Sequence, residues 1–324
     1  MPLAIQIDRF GGPEALTAVD TTLPPPGPEE ITVRHGAIGL NYIDTYHRSG
    51  LYPIPLPSGL GLEAAGTVEA VGAQVTEVQA GDRVAYASGP IGAYSEARTL
   101  PTARVVKLPV DITDDTAAAL MLKGMTAYYL LHLTYPVKPG TVLLTHAAAG
   151  GVGSVLVPWA RHLGATVIGT AGGAAKCTLA SEYGCHHVID YRSQDIVAEV
   201  RRLTEGQGVD VVYDSVGKDT FEASLDCLKR RGMFVSFGNA SGKPPAIEPG
   251  TLSAKGSLFL TRPTLGDYTT TRKELDTAAR ALFDVVRHGI VKADVRQRYP
   301  LRDAARAHAD LEARKTTGTT LLIP

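Results

Sequence analysis

Residues 142–153 read VLLTHAAAGGVG, an apolar run ending in a glycine-rich turn, and residues 154–163, SVLVPWARHL, continue it as a helix. A strand, tight turn and helix start of this kind cradle a dinucleotide pyrophosphate. In the pattern G-x-G-x-x-G the first glycine makes the turn, the second lets backbone approach the phosphates, and the third lets helix pack on strand. Here those positions hold Ala148, Gly150 and Gly153, with Gly151 and Val152 between the last two. An alanine in the first place requires a turn at negative φ. Pro158 falls inside the helix, where its missing N–H costs roughly 3 kcal/mol, so a kink is expected there.

The segments that follow alternate in the order a doubly wound sheet requires. Strand-like runs ATVIGT (165–170), HHVID (186–190), VDVVYDS (209–215), GMFVSF (232–237) and GSLFLT (256–261) are separated by helix-like stretches. With the first run they make six strands, a full Rossmann-type parallel sheet of the α/β class. The choice of nucleotide rests on a missing charge. An NAD site places an acidic residue about 20 positions past the first glycine to hold the ribose hydroxyls. Between Ser154 and Ser181 there is none; Gly172, Gly173 and Lys176 follow the second strand instead. An ammonium and free backbone N–H groups there suit a 2′-phosphate, which favours NADPH. Tyr191 and nearby Arg192 are placed to close over the adenine and that phosphate. The alternative for Lys176 is a solvated lysine at a helix start, and for Arg192 a solvated charge is the leading reading.

The chain of 324 residues exceeds one ordinary core, and the nucleotide unit takes only its middle. It is 44% hydrophobic and 20% charged with a formal net charge of -1, which gives no strongly basic footprint for nucleic acid. No apolar run approaches the roughly 20 residues of a membrane span, and the N-terminus lacks a signal-peptide core, so the cytoplasm is expected. Cys177, Cys185 and Cys227 are too few and too scattered for a disulfide framework.

The first part reads differently. Strand-like pieces such as LAIQI (3–7), ITVRHGAIGL (31–40) and DRVAYA (82–87) alternate with Pro- and Gly-rich turns, predicting an all-β, barrel-like unit. Residues 114–133 form a long apolar helical passage into the nucleotide unit. After Thr261 come an amphipathic helix at 272–289 and a closing strand, GTTLLIP, expected to return to the first unit.

These features resemble a medium-chain dehydrogenase/reductase, in the zinc-free quinone oxidoreductase branch related to ζ-crystallin. The likeness rests on GGPEAL (11–16), IGLNYIDTYHRSGLYP (38–53), PSGLGLEAAGTV (57–68), GDRV (81–84), LKGMTAYYLL (122–131), THAAAGGVG, DSVG (214–217), SFGNASG (236–242), GSLFLTRP (256–263) and GTTLLIP. It implies a GroES-like catalytic domain over 1–124, completed by 263–324, and a Rossmann NADPH-binding domain over 125–262. In zinc-dependent relatives a cysteine follows the early strand and a histidine precedes the next glutamate. Here Asn41 and Leu62, before Glu63, hold those places, and no C-x-x-C pair exists. No metal is expected.

Without a metal, the protein contributes orientation, exclusion of water and polar groups near the developing oxyanion. Tyr46 and Tyr52 are the candidate phenols and Asn41 the candidate amide. The resemblance implies further that Tyr42, Ile43, Asp44, Thr45 and Tyr46, together with Tyr129, contact the cofactor, and that Thr126 holds its carboxamide. Ser215 ends the fourth strand, and Phe237, Gly238 and Asn239 end the fifth. Arg262, Pro263 and Thr264 follow the sixth, and strand ends are where such sheets bind ligands. Arg314, expected in the helix before the closing strand, is a candidate for the adenine end; a solvated charge is the alternative.

The leading reading is an NADPH-dependent quinone reductase. Two others stay open: reduction of activated C=C bonds in enals, enones or enoyl thioesters, and a nucleotide-dependent RNA-binding or structural protein, as in relatives of ζ-crystallin. An apolar edge strand at 256–261 calls for cover, so a homodimer paired through it is expected.

Overall fold

The computed structural model describes all residues, Met1–Pro324, and they group into two compact units. The second comprises Thr126–Tyr268 with Asp284–Lys292, so part of the expected C-terminal completion, 263–268 and 284–292, groups with the nucleotide sheet. Six parallel strands run in the order His187–Asp190, Thr166–Ala171, Val142–Thr145, Val209–Asp214, Leu228–Ser236 and Phe259–Thr261. The order reverses between Val142–Thr145 and Val209–Asp214, the crevice at which open sheets of this kind bind ligands. These strands are near-continuous apolar runs because helices cover both faces. Leu144, Ile168, Ile189, Val212 and Phe234 pack with Phe221 and Leu225 in one buried cluster.

The strand at the far edge is short. Only Phe259–Thr261 pairs with its neighbour, where the sequence predicted 256–261, because Gly256 and Ser257 take positive φ angles of 111° and 56° and turn the chain in. The helix Gly153–His162 continues through Pro158, which leaves the Ser154 carbonyl without its helical donor. The long apolar passage is helical over Asp114–Tyr128 and then widens into a π-helix, Tyr129–Thr134. Widening changes the carbonyl pairing, and Tyr213 Oη donates to the Leu130 carbonyl at 2.9 Å.

The first unit comprises Met1–Met125, Thr269–Phe283 and Ala293–Pro324. Its main sheet orders Val295–Pro300, Thr319–Ile323, Glu30–Leu40, Glu63–Val71, Arg83–Tyr86 and Val106–Lys107, with Ala97–Pro101 also on Glu30–Leu40. The closing strand returns as expected: Thr320, Leu321 and Leu322 pair antiparallel with Leu40, Gly39 and Ile38. A three-stranded sheet, Thr17–Asp20, Leu3–Ile7 and Ser58–Gly59, completes the β architecture. Gly66 is required by close approach, since a Cβ there would collide with the Arg34 carbonyl beside a bulge.

Inside this unit a buried polar chain fixes the helix Tyr42–Ser49. Arg48, 2% exposed, donates to His308 Nδ1 at 3.1 Å and pairs with Glu312 at 2.6 Å. Because guanidinium only donates, His308 carries its proton on Nε2 and faces Tyr94 Oη at 3.0 Å; Tyr94 in turn donates to Asp44 Oδ2 at 2.9 Å. Burial, with the Arg48 charge beside it, pushes His308 down to about 3. Its stabilising effect as a neutral ring is complete above about pH 6.5 and is lost as pH falls toward 3. His308→Gln should therefore flatten part of the fall in melting temperature between pH 6.5 and 4, measured by thermal denaturation against the parent protein. An unchanged acid limb would show that His308 is not a neutral acceptor.

Candidate functional site

Asn41 and Asp44 open the helix Tyr42–Ser49 with a capping box, the Asn41 N–H donating to Asp44 Oδ2 at 2.9 Å. Asp44 is wholly buried, and that burial raises its carboxyl to about 7. Its side chain points into the fold, so of the expected contact run only its backbone can face a ligand. Thr45 is likewise turned inward, its hydroxyl donating to the Tyr42 carbonyl at 2.7 Å. Ile43 is half-buried on the same helix.

The phenols do come together. The ring centroids of Tyr42 and Tyr46 lie 5.6 Å apart and those of Tyr46 and Tyr52 5.1 Å apart, edge to face. The Tyr52 N–H donates to the Tyr46 carbonyl at 3.1 Å, which holds the following loop against the helix end. Burial, then the Glu312 charge, raises the Tyr42 phenol, while Arg314 opposes this. Arg314 is not in the helix as expected: that helix is Ala304–Glu312, and Arg314 stands in the turn beyond it at φ 58°.

The place without zinc-type ligands is filled by a charge pair that sequence reading missed. Glu63 accepts from Asn41 Nδ2 at 2.7 Å, from the Leu122 N–H at 2.6 Å and from Lys123 Nζ at 3.1 Å. Glu63 is wholly buried and Lys123 is 4% exposed. Gly39 permits the arrangement, since a Cβ there would overlap Glu63 Oε2 and the Ala118 carbonyl. No three His, Cys, Asp or Glu side chains converge to hold a metal ion, and an ammonium beside the one carboxylate does not fit a zinc site.

In the second unit the glycine-rich turn takes the expected form with one difference. The left-handed residue is Ala147, at φ 52°, one place before the alanine that stands for the first glycine. The Gly150 N–H closes the turn on the Ala147 carbonyl at 2.8 Å. Gly151 and Val152 lead directly into the helix at Gly153, where a Cβ would strike the Ala148 carbonyl. Behind the second strand, Tyr191 lies so close over Gly172 that a Cβ there would overlap its hydroxyl, and the Arg192 guanidinium stands over Gly173. Lys176 sits half-buried in the first turn of the helix Ala174–Glu182. The Gly173 N–H, however, is not free: Asp190 Oδ1 accepts it at 2.9 Å, together with the Arg192 N–H at 3.0 Å. Asp190 ends the third strand, beyond the Ser154–Ser181 stretch in which an NAD-type acid would stand.

The remaining candidates lie at carboxyl strand ends. Ser215 backs onto Gly238, where a Cβ would overlap its carbonyl, and the Phe237 N–H donates to the Asp214 carbonyl at 2.8 Å. Asn239 is buried. Ser236, not predicted, is 4% exposed and its hydroxyl has no partner in the protein. Thr126 is buried ahead of the π-helix, and Tyr129 stacks on Tyr268 at 4.6 Å with 12° between planes. Burial raises the Tyr129 phenol, and the Arg262 charge opposes it. Arg262 donates to the Pro263 carbonyl at 3.1 Å, and the Thr264 carbonyl starts the short helix Leu265–Tyr268.

Two family models match the chain: "Alcohol dehydrogenase GroES-like domain" over residues 27–110 and "Zinc-binding dehydrogenase" over 151–282. A quinone oxidoreductase of Pseudomonas aeruginosa is 52% identical over 325 residues, with all of both chains covered. The crystal structure of Escherichia coli quinone oxidoreductase complexed with NADPH is 52% identical, covers 99% of this chain and 100% of that one, and superposes with a TM-score of 0.98. A 2-haloacrylate reductase of a Burkholderia species is 48% identical, over 100% of this chain and 99% of its own.

Two outcomes test the geometry. Glu63→Gln should destabilise by about 3–5 kcal/mol in urea denaturation, since it leaves the Lys123 charge buried without its partner, whereas Glu63→Gln combined with Lys123→Met should recover most of that loss. Gly153→Ala should separate helix from turn and abolish dinucleotide binding, read by quenching of the intrinsic fluorescence on titration.

Proposed function

The chain belongs to the quinone oxidoreductase branch of the medium-chain dehydrogenase/reductase superfamily, and from that membership we propose that it reduces quinones with NADPH. The observation that carries this reading is full-length likeness to quinone oxidoreductases, one of them solved with NADPH. The residues fit such a group: a tight turn at Gly150, a buried Ser236 hydroxyl without a protein partner, and, after the second strand, Tyr191 over Gly172, Arg192 over Gly173 and Lys176 in the first turn of the next helix.

NADPH, when bound, supplies a hydride. Gly150, Gly151 and Val152 would hold its pyrophosphate at a helix start, where backbone N–H groups favour anions. Lys176, Tyr191, Gly172 and Gly173 would take the adenine ribose and its 2′-phosphate. The Gly173 N–H serves Asp190, so the groups assigned to that phosphate are the Lys176 ammonium and the Arg192 guanidinium over Gly173. Ser215, Phe237, Gly238, Asn239, Arg262, Pro263 and Thr264, with Thr126 and Tyr129, would orient the nicotinamide half. Arg314 is assigned to the same coenzyme.

The acceptor side rests on Tyr46 and Tyr52 with Asn41, and Tyr42, packed on Tyr46, is assigned to the coenzyme. A quinone that gains a hydride becomes a phenolate, and a tyrosine hydroxyl or water supplies the proton to its oxygen. Tyr46 and Tyr52 are the donors assigned, their rings held edge to face. Asn41 is oriented by its bond to Glu63. The likeness to a 2-haloacrylate reductase supports a second reading, reduction of an activated C=C bond with protonation at carbon.

We further infer a homodimer through the edge strand Phe259–Thr261, whose Phe259 is 57% exposed. A reducing, cytoplasmic setting is supported by Cys177, Cys185 and Cys227, which are free thiols. No helix is long and apolar enough to cross a membrane.

The assay follows NADPH oxidation with 1,4-benzoquinone, 9,10-phenanthrenequinone and an enal. Turnover with the quinones is expected, and turnover with the enal alone would replace the first reading by the second. Lys176→Glu should raise the KM for NADPH by about tenfold or more while the KM for NADH changes little, because only the former loses a phosphate–ammonium contact. Equal effects would remove the phosphate assignment.

A further inference from the structure

Four buried polar side chains beneath the glycine-rich turn form a relay that the reaction described above does not use. Thr170 Oγ1 lies 3.0 Å from His146 Nδ1, His146 Nε2 lies 3.0 Å from Ser224 Oγ, and Ser224 Oγ lies 2.8 Å from Asp214 Oδ2. All four are 2% exposed or less. They join three neighbouring strands at their carboxyl ends: His146 follows Val142–Thr145, Thr170 lies in Thr166–Ala171, and Asp214 ends Val209–Asp214. Ser224 comes from the helix Phe221–Asp226.

The direction of donation is fixed by counting protons. Asp214 Oδ1 accepts the N–H groups of Val216 and Gly217 at 2.7 and 3.0 Å, and Oδ2 accepts the Thr220 hydroxyl at 2.7 Å as well as that of Ser224. A carboxylate with four such neighbours only accepts, so the one Ser224 proton points to Asp214. Ser224 therefore meets the imidazole with a lone pair, and Nε2 carries the ring proton. Burial disfavours the charged ring, so Nδ1 is bare and takes the Thr170 proton. The same polarity excludes a serine nucleophile, because there the imidazole accepts from the hydroxyl rather than donating to it.

We propose that His146 is a positioning residue for the coenzyme site, locking the glycine-rich turn that follows it to the turn at Ser215–Gly217 through Ser224 and Asp214. Backbone bonds run in parallel: His146 N–H to the Tyr213 carbonyl at 3.1 Å and Ala148 N–H to the Thr170 carbonyl at 3.0 Å. The side-chain relay adds what these lack, a link from the turn to the Asp214 carboxylate. Both turns carry residues assigned above to NADPH, so this role rests on that reading.

His146→Gln can still accept from Thr170 and donate to Ser224, whereas His146→Leu can do neither. The leucine variant should raise Kd and KM for NADPH by about tenfold or more with kcat held within about twofold, and the glutamine variant should bind NADPH within about threefold of the parent. A leucine variant that binds NADPH like the parent, or a glutamine variant as weak as leucine, overturns the proposal. In the parent protein without coenzyme, nitrogen NMR of the imidazole should show Nε2–H with Nδ1 bare; the opposite tautomer also overturns it. Absence of NADPH affinity in the parent would instead sink the coenzyme reading, and the tautomer measurement, made without coenzyme, tells the two failures apart.

Discussion

One buried carboxylate, Asp214, shapes the place where the nucleotide sheet reverses its strand order. Its two oxygens take two backbone N–H groups and two hydroxyls, and its own carbonyl takes the Phe237 N–H. A carboxylate so placed is tolerated in an apolar core because every lone-pair direction is met by a donor. The same bonds set the path of the chain just beyond the fourth strand, where Gly217 must take φ 91° with no room for a Cβ beside Gly242. The turns that would meet a coenzyme are thus held from beneath by polar contacts, while the strands behind them are held by apolar packing.

The first unit uses a similar device around Tyr42–Ser49. Its N-terminus is tied by Asn41 to Glu63 and by Asp44 to Tyr94, and its C-terminal turn is tied by Arg48 to His308 and Glu312. Four of the five buried side chains of the helix that carries Tyr42 and Tyr46 are polar or charged, Asp44, Thr45, His47 and Arg48, so polar anchors add to the ring contacts in holding its placement. They also account for the raised carboxyl of Asp44 and the lowered imidazole of His308, both driven first by burial.

Much of this was legible in the chain because it rests on local pattern. Short apolar runs bounded by turn residues mark the six parallel strands, and a nucleotide sheet complete at six strands leaves GTTLLIP to the first unit. The tyrosines are named only through the family resemblance, and nothing in the expected elements marks the short helix that brings Tyr42 to Tyr46, with Tyr52 on the loop after it. What escaped depends on long-range pairing. Lys123 meets Glu63 across 60 residues, and His308 meets Arg48 across 260. Asp190 is not marked by the spacing rule, which points to the end of the second strand, whereas the neighbouring strand end lies beside the same turn in space. Gly39 was the one available signal for the Glu63 pocket: a glycine in a buried strand marks a close approach, here of a carboxylate and a helix carbonyl.

The Lys123–Glu63 pair bears on how this unit would handle charge on an acceptor. Glu63 and Asp44 are buried close enough to raise the Asp44 carboxyl, and Lys123 opposes that effect. The ammonium therefore already serves as the local cation. A divalent ion in the same place would face its repulsion and would not find three His, Cys, Asp or Glu side chains to hold it. The Asn41 carboxamide, in turn, is oriented by the carboxylate rather than by a metal. The charge pair thus holds one N–H donor, the Asn41 amide, in a fixed direction, which is electrostatic preorganisation of a polar group by a buried carboxylate.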